Sequence, residues 1–318
     1  MLALPQSGMA RSIEPAHNVE LDALCDWVEA SVAFAEVEFL SGSDIVDVLC
    51  EEEIYENQDF AWDLVDNAIS ELRRRRDCLG DGAPFDVKRD RIVRTKVWEA
   101  VPAYAFCLTL ACANWYPGWA ASLVKPGKKR PDYTEQGYLF ELVTVSALEK
   151  LLPGWNVLHT GWAPNNAKKI KEVVTTVASF LREPAMELEP WLSPEANEAG
   201  LDIVCCRPFN DSRPGLPTIF VQCASGKHSE HKLKTPDQKE WGKVIGFTAV
   251  FPQRTFATPF VYTDNEFKRV ANKVDGLLLD RIRLLSAGNN GGEWLPAKVN
   301  EMLCNWVSPR VATLGRAA

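Results

Sequence analysis

The spacing of apolar residues changes character near residue 133, and this change limits the chain to a two-part organisation. Through residues 19–118 the apolar side chains recur at the spacing of one α-helix face. Beyond residue 133, amphipathic helical patterns alternate with short runs rich in β-branched residues. The pattern predicts an all-α N-terminal domain followed by an α/β (α+β) core.

The cluster KPGKKRPD at residues 125–132 separates the two patterns, because proline and glycine interrupt both helices and strands. The predicted segments are an acidic all-helical domain at 1–118, a basic Pro/Gly linker at 119–133, a core at 134–285, and a C-terminal loop and helix at 286–318. The first segment contains predicted helices at 19–39, 44–50 and 60–79. The last of these ends in the arginine run 73–76, interpreted as a solvated helix end whose cations complement the helix dipole.

The core is predicted to alternate helices and strands. In order these are a helix at 134–152, a strand at 155–159, a helix at 166–182, strands at 201–209 and 218–227, a helix ending at 245, strands at 247–251 and 259–263, and a helix at 265–285, before a last helix at 295–307. The sequence NDSRPGLP joins the two middle strands and has the composition of a hairpin turn, so these strands should pair antiparallel. Thr235 and Asp264 are the predicted N-caps of the helices that follow them.

Nine cysteines, an odd number without a C-x-x-C repeat, are typical of reduced thiols packed as small core residues. No apolar run approaches the roughly 20 residues that span a bilayer, and the first residues do not resemble a signal peptide. We therefore expect a cytoplasmic protein without disulfides and without a membrane partner.

The net charge of −8 argues at first against a nucleic-acid partner, but the charge is uneven. Residues 1–100 hold 10 Lys and Arg against 22 Asp and Glu, a balance of −12, whereas residues 101–318 hold 25 against 21, a balance of +4. DNA could therefore bind the second part, and the acidic N-terminal domain is a candidate docking surface for a protein partner. The sequence leaves the oligomeric state open, a homodimer included.

Glu141 lies in the predicted helix 134–152 beside apolar or aromatic neighbours such as Tyr138. A carboxylate on a buried helix face is costly unless it is paired or binds a metal ion. Two explanations stay open: a salt bridge to a core arginine, such as Arg281 or Arg283, or a role as a metal ligand.

Three further polar residues belong to the predicted hairpin. Asp202 opens its first strand, Gln222 lies near the end of the second, and Lys227 follows. Hydrolysis of a phosphodiester needs oxygen ligands for Mg²⁺, and a lysine that orients the attacking water and neutralises developing charge. A two-stranded ribbon would bring such groups to one edge of a sheet.

In this order, G-x-x-F-E ending at Glu141, G-L-D ending at Asp202, and Gln222 followed by a lysine resemble the motifs of the PD-(D/E)XK nuclease superfamily. The Mrr-like restriction endonuclease branch, where glutamine replaces the second acidic residue, is the most similar. The resemblance covers 134–285 and implies a restriction-endonuclease-like central mixed sheet flanked by helices. It also implies a nuclease that hydrolyses DNA with Mg²⁺ or Mn²⁺, such as a restriction or phage-defence effector.

By this resemblance Asp202 is the central metal ligand and Glu141 the acidic ligand on the helix. The amide oxygen of Gln222 and the backbone carbonyl of Cys223 complete the set, since both are hard oxygen donors. Together with Lys227, the side chains of Glu141, Asp202 and Gln222 are the predicted catalytic residues.

The lysine departs from the family pattern. That pattern would place it at Ala224, whereas the first lysine after Gln222 is Lys227. Side chains alternate along a strand, so Gln222 and Lys227 share a face only if Ser225-Gly226 forms a bulge. An inactive, nucleic-acid-binding descendant of the fold would show the same departure.

A zinc site is a competing interpretation, based on five residues in or near the hairpin: Cys205, Cys206, Cys223, His228 and His231. Their spacing matches no common zinc motif. A Cys223–His228 nucleophilic pair lacks an elbow motif and an orienting group, and no Walker A or G-x-G-x-x-G sequence is present. The other alternative is a catalytically inactive nucleic-acid- or protein-binding module of a larger defence or repair assembly.

Overall fold

The structure is a computed structural model, and it describes residues 1–5, 7–9, 20–35, 37–116, 132–160, 170–187, 200–226, 229–249 and 251–315. The chain divides into two compact units. The first unit comprises Met1–Asp132, Pro259–Val261 and Arg281–Ala318, and the second comprises Tyr133–Thr258 and Tyr262–Asp280. Most of the predicted linker lies outside the described residues.

The first unit begins with helices and short strands. Its elements up to residue 115 are α1 (Leu21–Phe34), β1 (Phe39–Ser41), α2 (Gly42–Glu51), α3 (Gln58–Leu79), β2 (Phe85–Lys88), β3 (Arg91–Arg94) and α4 (Pro102–Trp115). The three helices predicted in this part are confirmed, and α2 begins with a capping box in which Ser41 and Asp44 satisfy each other's backbone N–H groups.

The prediction of an all-α N-terminal domain is wrong. Strands β1, β3 and β2 form an antiparallel sheet in that order. Each strand is only three or four residues long, too short to display a period of two. A two-residue turn joins β2 to β3, and Arg89 in this turn has a φ of 59° without the glycine or asparagine that would mark a hairpin.

The second unit contains a mixed sheet with helices before, within and after it. Its elements are α5 (Thr134–Leu151), β4 (Asn156–His159), α6 (Ile170–Leu181), β5 (Ile203–Cys206), β6 (Thr218–Cys223), α7 (Gln238–Val244), β7 (Gln253–Ala257), α8 (Asp264–Val274) and β8 (Leu277–Leu279). The sheet order is β4-β5-β6-β7-β8. The first three strands are antiparallel, as predicted for the hairpin, and the last three are parallel. The predicted mixed α+β class is confirmed.

Two apolar faces form the core of this sheet. Helices α6 and α7 pack on the face that carries Val204, Cys206 and Phe220, and the rings of Phe220 and Trp241 meet edge to face at 5.5 Å. Helix α8 packs on β7 and β8 through Phe256. The strands alternate large apolar side chains between the faces, as expected for a sheet that is covered on both sides.

The predictions beyond residue 245 were less accurate. Among the described residues, neither 247–249 nor 259–263 forms a strand, and β7 lies between these two ranges instead. The predicted helix at 265–285 is three elements, because Asp275 leaves the helical conformation with a φ of 53°. At Gly276, a Cβ would lie 2.2 Å from the carbonyl oxygen of Arg254, so only glycine permits this close approach.

The predicted helix caps were each wrong by a residue or two. Asp237, rather than Thr235, caps α7, since its carboxylate accepts hydrogen bonds from the backbone of Lys239 at 2.8 Å and of Glu240 at 3.2 Å. Thr263 stands at the N-cap of α8, and Asp264 is already helical.

Helices α9 (Arg281–Leu285) and α10 (Ala297–Val311) return to the first unit. Helix α10 packs on α4, where the rings of Trp306 and Phe106 lie 4.9 Å apart. Helix α10 therefore contributes to the core of the first unit. None of the helices in the described ranges combines the length and apolarity needed to cross a membrane.

A buried ionic cluster lies between these helices of the first unit. The Arg75 side chain is 0% exposed and donates to four carboxylates at 2.8 to 3.0 Å: Asp22, Asp26, Glu29 and Glu71. Arg281 adds contacts of 2.6 Å to Asp26 and 3.3 Å to Glu29. The interpretation of the whole arginine run as a solvated helix end is thus wrong for Arg75, although Arg73 is exposed.

Burial disfavours the charged form of Asp26, but Arg281 and Arg75 outweigh it and hold the pKa of this carboxyl below its ordinary value. Asp26 is therefore held in its charged form.

Candidate functional site

Asp202 and Gln222 meet across the β5–β6 hairpin. The register pairs Ile203 with Val221, so the next residues outward, Asp202 and Gln222, stand opposite each other. The Asp202 N–H donates to the Val221 carbonyl at 3.0 Å, which holds the register one residue past the strand. Both side chains are buried, at 3% and 2% exposure, and the Gln222 amide nitrogen donates to Asp202 Oδ2. The predicted pairing of these two residues is present.

The backbone of Cys223 completes this contact. Its N–H donates to Asp202 Oδ2 at 2.5 Å, and its carbonyl oxygen accepts from the Gln222 amide nitrogen at 3.0 Å. The carboxylate of Asp202, the amide of Gln222 and the carbonyl of Cys223 therefore face one another at the end of β6. We call these three groups the oxygen cluster.

Glu141 lies on α5 and is 8% exposed. Its Oε2 is 2.6 Å from His159 Nε2, and the His159 ring lies 6.0 Å from the ring of Tyr138. The suggestion that Glu141 pairs with Arg281 is wrong, because Arg281 pairs with carboxylates of the first unit. His159 is a site residue that the sequence analysis missed.

The pKa of the Cys223 thiol depends on both Glu141 and Asp202. Burial raises the pKa of this thiol well above its ordinary value, and the charges of Asp202 and Glu141 raise the pKa further, while Thr144 and Lys232 act in the opposite direction. Asp202 and Glu141 thus both favour the protonated form of this thiol. A thiol held in its protonated form is a poor nucleophile, so the Cys223–His228 hypothesis gains nothing from the described residues.

The predicted catalytic lysine, Lys227, is not among the described residues, and a different lysine lies near Cys223. Lys227 and His228 lie outside the described residues, and Ala224 is buried at the position of the family lysine. Lys232 ends a 3₁₀ turn, Ser229–Lys232, and its charge reaches the Cys223 thiol. Sequence reasoning missed Lys232, because it lies ten residues from Gln222 and only the turn brings it back.

Helix α5 is also tied to the end of β6. Gln136 Nε2 donates to the Ser225 carbonyl at 3.0 Å and lies 3.3 Å from its hydroxyl. This contact holds the segment that follows Cys223 against the helix that carries Glu141.

The donors of the oxygen cluster suit a hard cation, since carboxylate, amide and backbone carbonyl oxygens are the usual ligands of Mg²⁺ and Ca²⁺. Within the described ranges, no group of three or more His, Cys, Asp and Glu side chains is placed to hold a metal ion. A cation here would therefore depend on the amide and the carbonyl as much as on Asp202. The residues fit such an ion in type, provided that Gln222 offers its oxygen.

The zinc hypothesis finds no support in the part of the chain that the structure describes. Cys205 and Cys206 are consecutive in β5 and point to opposite faces of the sheet. Cys206 packs in the core under α6 and α7, and burial raises the pKa of the Cys205 thiol to about 12. Zinc binds thiolates, so these protonated core thiols are unsuitable ligands.

The charge of the second unit is close to balanced. It holds 16 Lys and Arg against 18 Asp and Glu, a net charge of −2. The basic surplus of residues 101–318 therefore belongs to 101–132 and 281–318. A polyanion at the oxygen cluster would rely on local cations, of which Lys232 and Lys234 are exposed.

Comparison with protein-family models, with curated proteins and with solved structures finds no match to this chain. Function must therefore be inferred from the chemistry of the site itself.

Proposed function

We propose that the second unit is a Mg²⁺-dependent nuclease of the PD-(D/E)XK type that hydrolyses DNA phosphodiester bonds, and that the protein acts in the cytoplasm as a restriction or phage-defence effector. The observation that carries the proposal is the oxygen cluster. Three groups assigned as ligands from the resemblance alone, on Asp202, Gln222 and Cys223, face one another at one end of a buried hairpin.

The sheet around the cluster supports the proposal. A helix that carries Glu141 precedes three antiparallel strands, and α7 connects β6 to the parallel strand β7. This is a central mixed sheet flanked by helices, the general arrangement that the resemblance implies. Glu141 on α5 and Asp202 on the hairpin both raise the pKa of the buried Cys223 thiol, which supports a shared site.

A bound Mg²⁺ would polarise the phosphate and lower the pKa of a water molecule. The chain's own residues prepare for that chemistry. Asp202 supplies carboxylate oxygens, Glu141 is held in one orientation by His159, and Lys232 would offer positive charge to a phosphate oxygen. Ser225 is anchored by Gln136, so the strand end that carries the Cys223 carbonyl is kept in place.

The proposal is tested by incubating the full chain with supercoiled plasmid, linear duplex, single-stranded DNA and RNA. Each substrate is combined with Mg²⁺, Mn²⁺ or EDTA. The proposal requires cleavage of DNA with a divalent cation and none in EDTA. Cleavage that persists in EDTA, or RNA cleaved in preference to DNA, would contradict it.

A second candidate is an inactive nucleic-acid-binding module of a larger assembly. The observation that favours it is Ala224, a buried methyl group where the family pattern has a lysine. This candidate is supported if the protein binds duplex DNA in a gel-shift titration but cleaves none of the substrates with either cation.

A further inference from the structure

The two ends of the Gln222 amide have unequal partners. The nitrogen donates to Asp202 Oδ2 and to the Cys223 carbonyl, two acceptors without a proton of their own. The oxygen faces the hydroxyl of Thr235 at 3.2 Å. Both hydrogens of the amide nitrogen are therefore used on the side of Asp202, and the amide oxygen depends on Thr235.

Thr235 has only one hydroxyl proton, and two acceptors compete for it. The carbonyl of Lys232 is 2.7 Å away, whereas Gln222 Oε1 is 3.2 Å away. The shorter contact is the stronger hydrogen bond, so the proton is directed to Lys232. A lone pair of the Thr235 oxygen then faces Gln222. A lone pair is a poor partner for an amide oxygen and a good one for an amide nitrogen.

Rotating the Gln222 amide by a half turn exchanges nitrogen and oxygen with almost no change of shape. In the rotated state the nitrogen would donate to Thr235. The oxygen would join Asp202 Oδ2 and the Cys223 carbonyl, which makes three oxygen atoms on one side. Such a set repels itself without a cation and is a suitable set of ligands for a hard divalent ion.

Gly200 leaves room for this arrangement. A Cβ there would lie 3.0 Å from the Thr235 Cβ and 3.3 Å from Gln222 Oε1, and its φ of 71° favours glycine. Any side chain at position 200 would press on both Thr235 and the Gln222 amide. The chain is thus built closely around the contact between Gln222 and Thr235.

We propose that cation binding rotates the Gln222 amide, and that Thr235 is the positioning residue that accepts a hydrogen bond from the rotated nitrogen. The inference rests on the proposed function only in that it needs a divalent cation at the oxygen cluster. Thr235 then affects the affinity for the cation without contacting it, because it stabilises the rotated amide more than the amide orientation seen in the structure.

The test is isothermal titration of Mn²⁺ into the full chain without nucleic acid, so that affinity and not cleavage is measured. Thr235→Val removes the lone pair and leaves a buried N–H without an acceptor in the rotated state, so the dissociation constant should rise roughly tenfold. Thr235→Ser keeps the hydroxyl and should bind within about twofold of the native protein.

A second pair of variants separates positioning from loosening of the turn. In a Gln222→Glu background both ends of the side chain are oxygen, no rotation is needed, and the effect of Thr235→Val should shrink to less than about twofold. An unchanged tenfold loss in that background would mean that Thr235 acts only through the turn, and would overturn the inference. So would native affinity in Thr235→Val. If the native protein binds no Mn²⁺, both this inference and the proposed function fail, whereas binding without DNA cleavage removes only the latter.

Discussion

Replacing Arg75 with methionine should be one of the most damaging single changes in the first unit. The side chain is fully buried and makes four ion pairs, and its methylene groups can be replaced in volume by methionine. What is lost is the charge. Glu71 keeps its contact with Arg74 at 2.7 Å, but Asp26 and Glu29 would then share the positive charge of Arg281.

The magnitude follows from the charges that remain. With Arg75 present, its guanidinium faces four carboxylates; without it, Arg281 still faces Asp26 and Glu29, and Arg74 still faces Glu71. Breaking a buried ion pair by removing one partner costs about 3–5 kcal/mol, because the other charge stays buried. About 4 kcal/mol lowers the ratio of folded to unfolded protein by roughly a factor of 1000. It is a large share of a total stability of about 5–15 kcal/mol.

Urea unfolding at pH 7, followed by far-ultraviolet circular dichroism, measures this difference. Arg73→Met is the matched control, since Arg73 lies on the same helix, is exposed and donates to the Arg89 carbonyl at 3.0 Å. The control should stay within about 0.5 kcal/mol of the native protein. A loss below about 1 kcal/mol for Arg75→Met, in the range of an exposed pair, would refute the view that the cluster stabilises this unit.

Three further predictions concern pH, charge and metal binding. Arg281 and Arg75 lower the pKa of Asp26 in the folded protein. Its contribution to the free energy of unfolding is therefore complete above the unfolded-state pKa of about 4 and is lost as the pH falls further. Between pH 6 and pH 3, the free energy of unfolding should fall less steeply for Asp26→Asn than for the native protein. Lys232→Met should slow plasmid cleavage in Mg²⁺ by roughly a hundredfold, whereas the control Lys234→Met should change the rate by less than about twofold. Equal cleavage rates for the two variants would show that Lys232 is not part of the site. Gln222→Glu should bind Mn²⁺ at least as tightly as the native protein, and Gln222→Leu should lose binding, because only oxygen atoms bind this hard cation well. Equal affinities of the three proteins in calorimetry would show that Gln222 is not a ligand.

The sequence was sufficient where a pattern is local and long. Helices α5 and α6 are 18 and 12 residues long and show helical spacing, and the loop between β5 and β6 is rich in the Asn, Asp, Pro and Gly that favour turns. The contact of Asp202 with Gln222 followed from that hairpin, since opposing strands bring such residues together.

The sequence was insufficient where structure depends on a distant partner. Strand β8 is Leu277–Leu279, three leucines that equally suit a buried helix, and only pairing with β7 decides between the two. The burial of Arg75 depends on carboxylates from α1, 46 to 53 residues away. No local pattern distinguishes this arginine from its exposed neighbours.

The same limit applies to the site. His159 pairs with Glu141 because α5 packs against β4, and Thr235 contacts Gln222 just after the 3₁₀ turn Ser229–Lys232. Both contacts join residues that are 13 or 18 positions apart and ordinary in type. Residues that hold another residue in place carry no motif of their own, so they are found only in the folded chain.

The proposed role of Asp202 is to hold the cation that drives DNA cleavage, and Asp202→Asn tests that role most directly. Asparagine keeps an oxygen that can accept from the Cys223 N–H, so the hairpin should stay folded while the charge is lost. The matched control is Asp211→Asn, an exposed residue in the turn of the same hairpin. The rate of supercoiled plasmid cleavage in Mg²⁺ should fall on the order of a hundredfold or more for Asp202→Asn and stay at the native value for Asp211→Asn. A folded Asp202→Asn protein that cleaves plasmid at the native rate would contradict the assignment of this site.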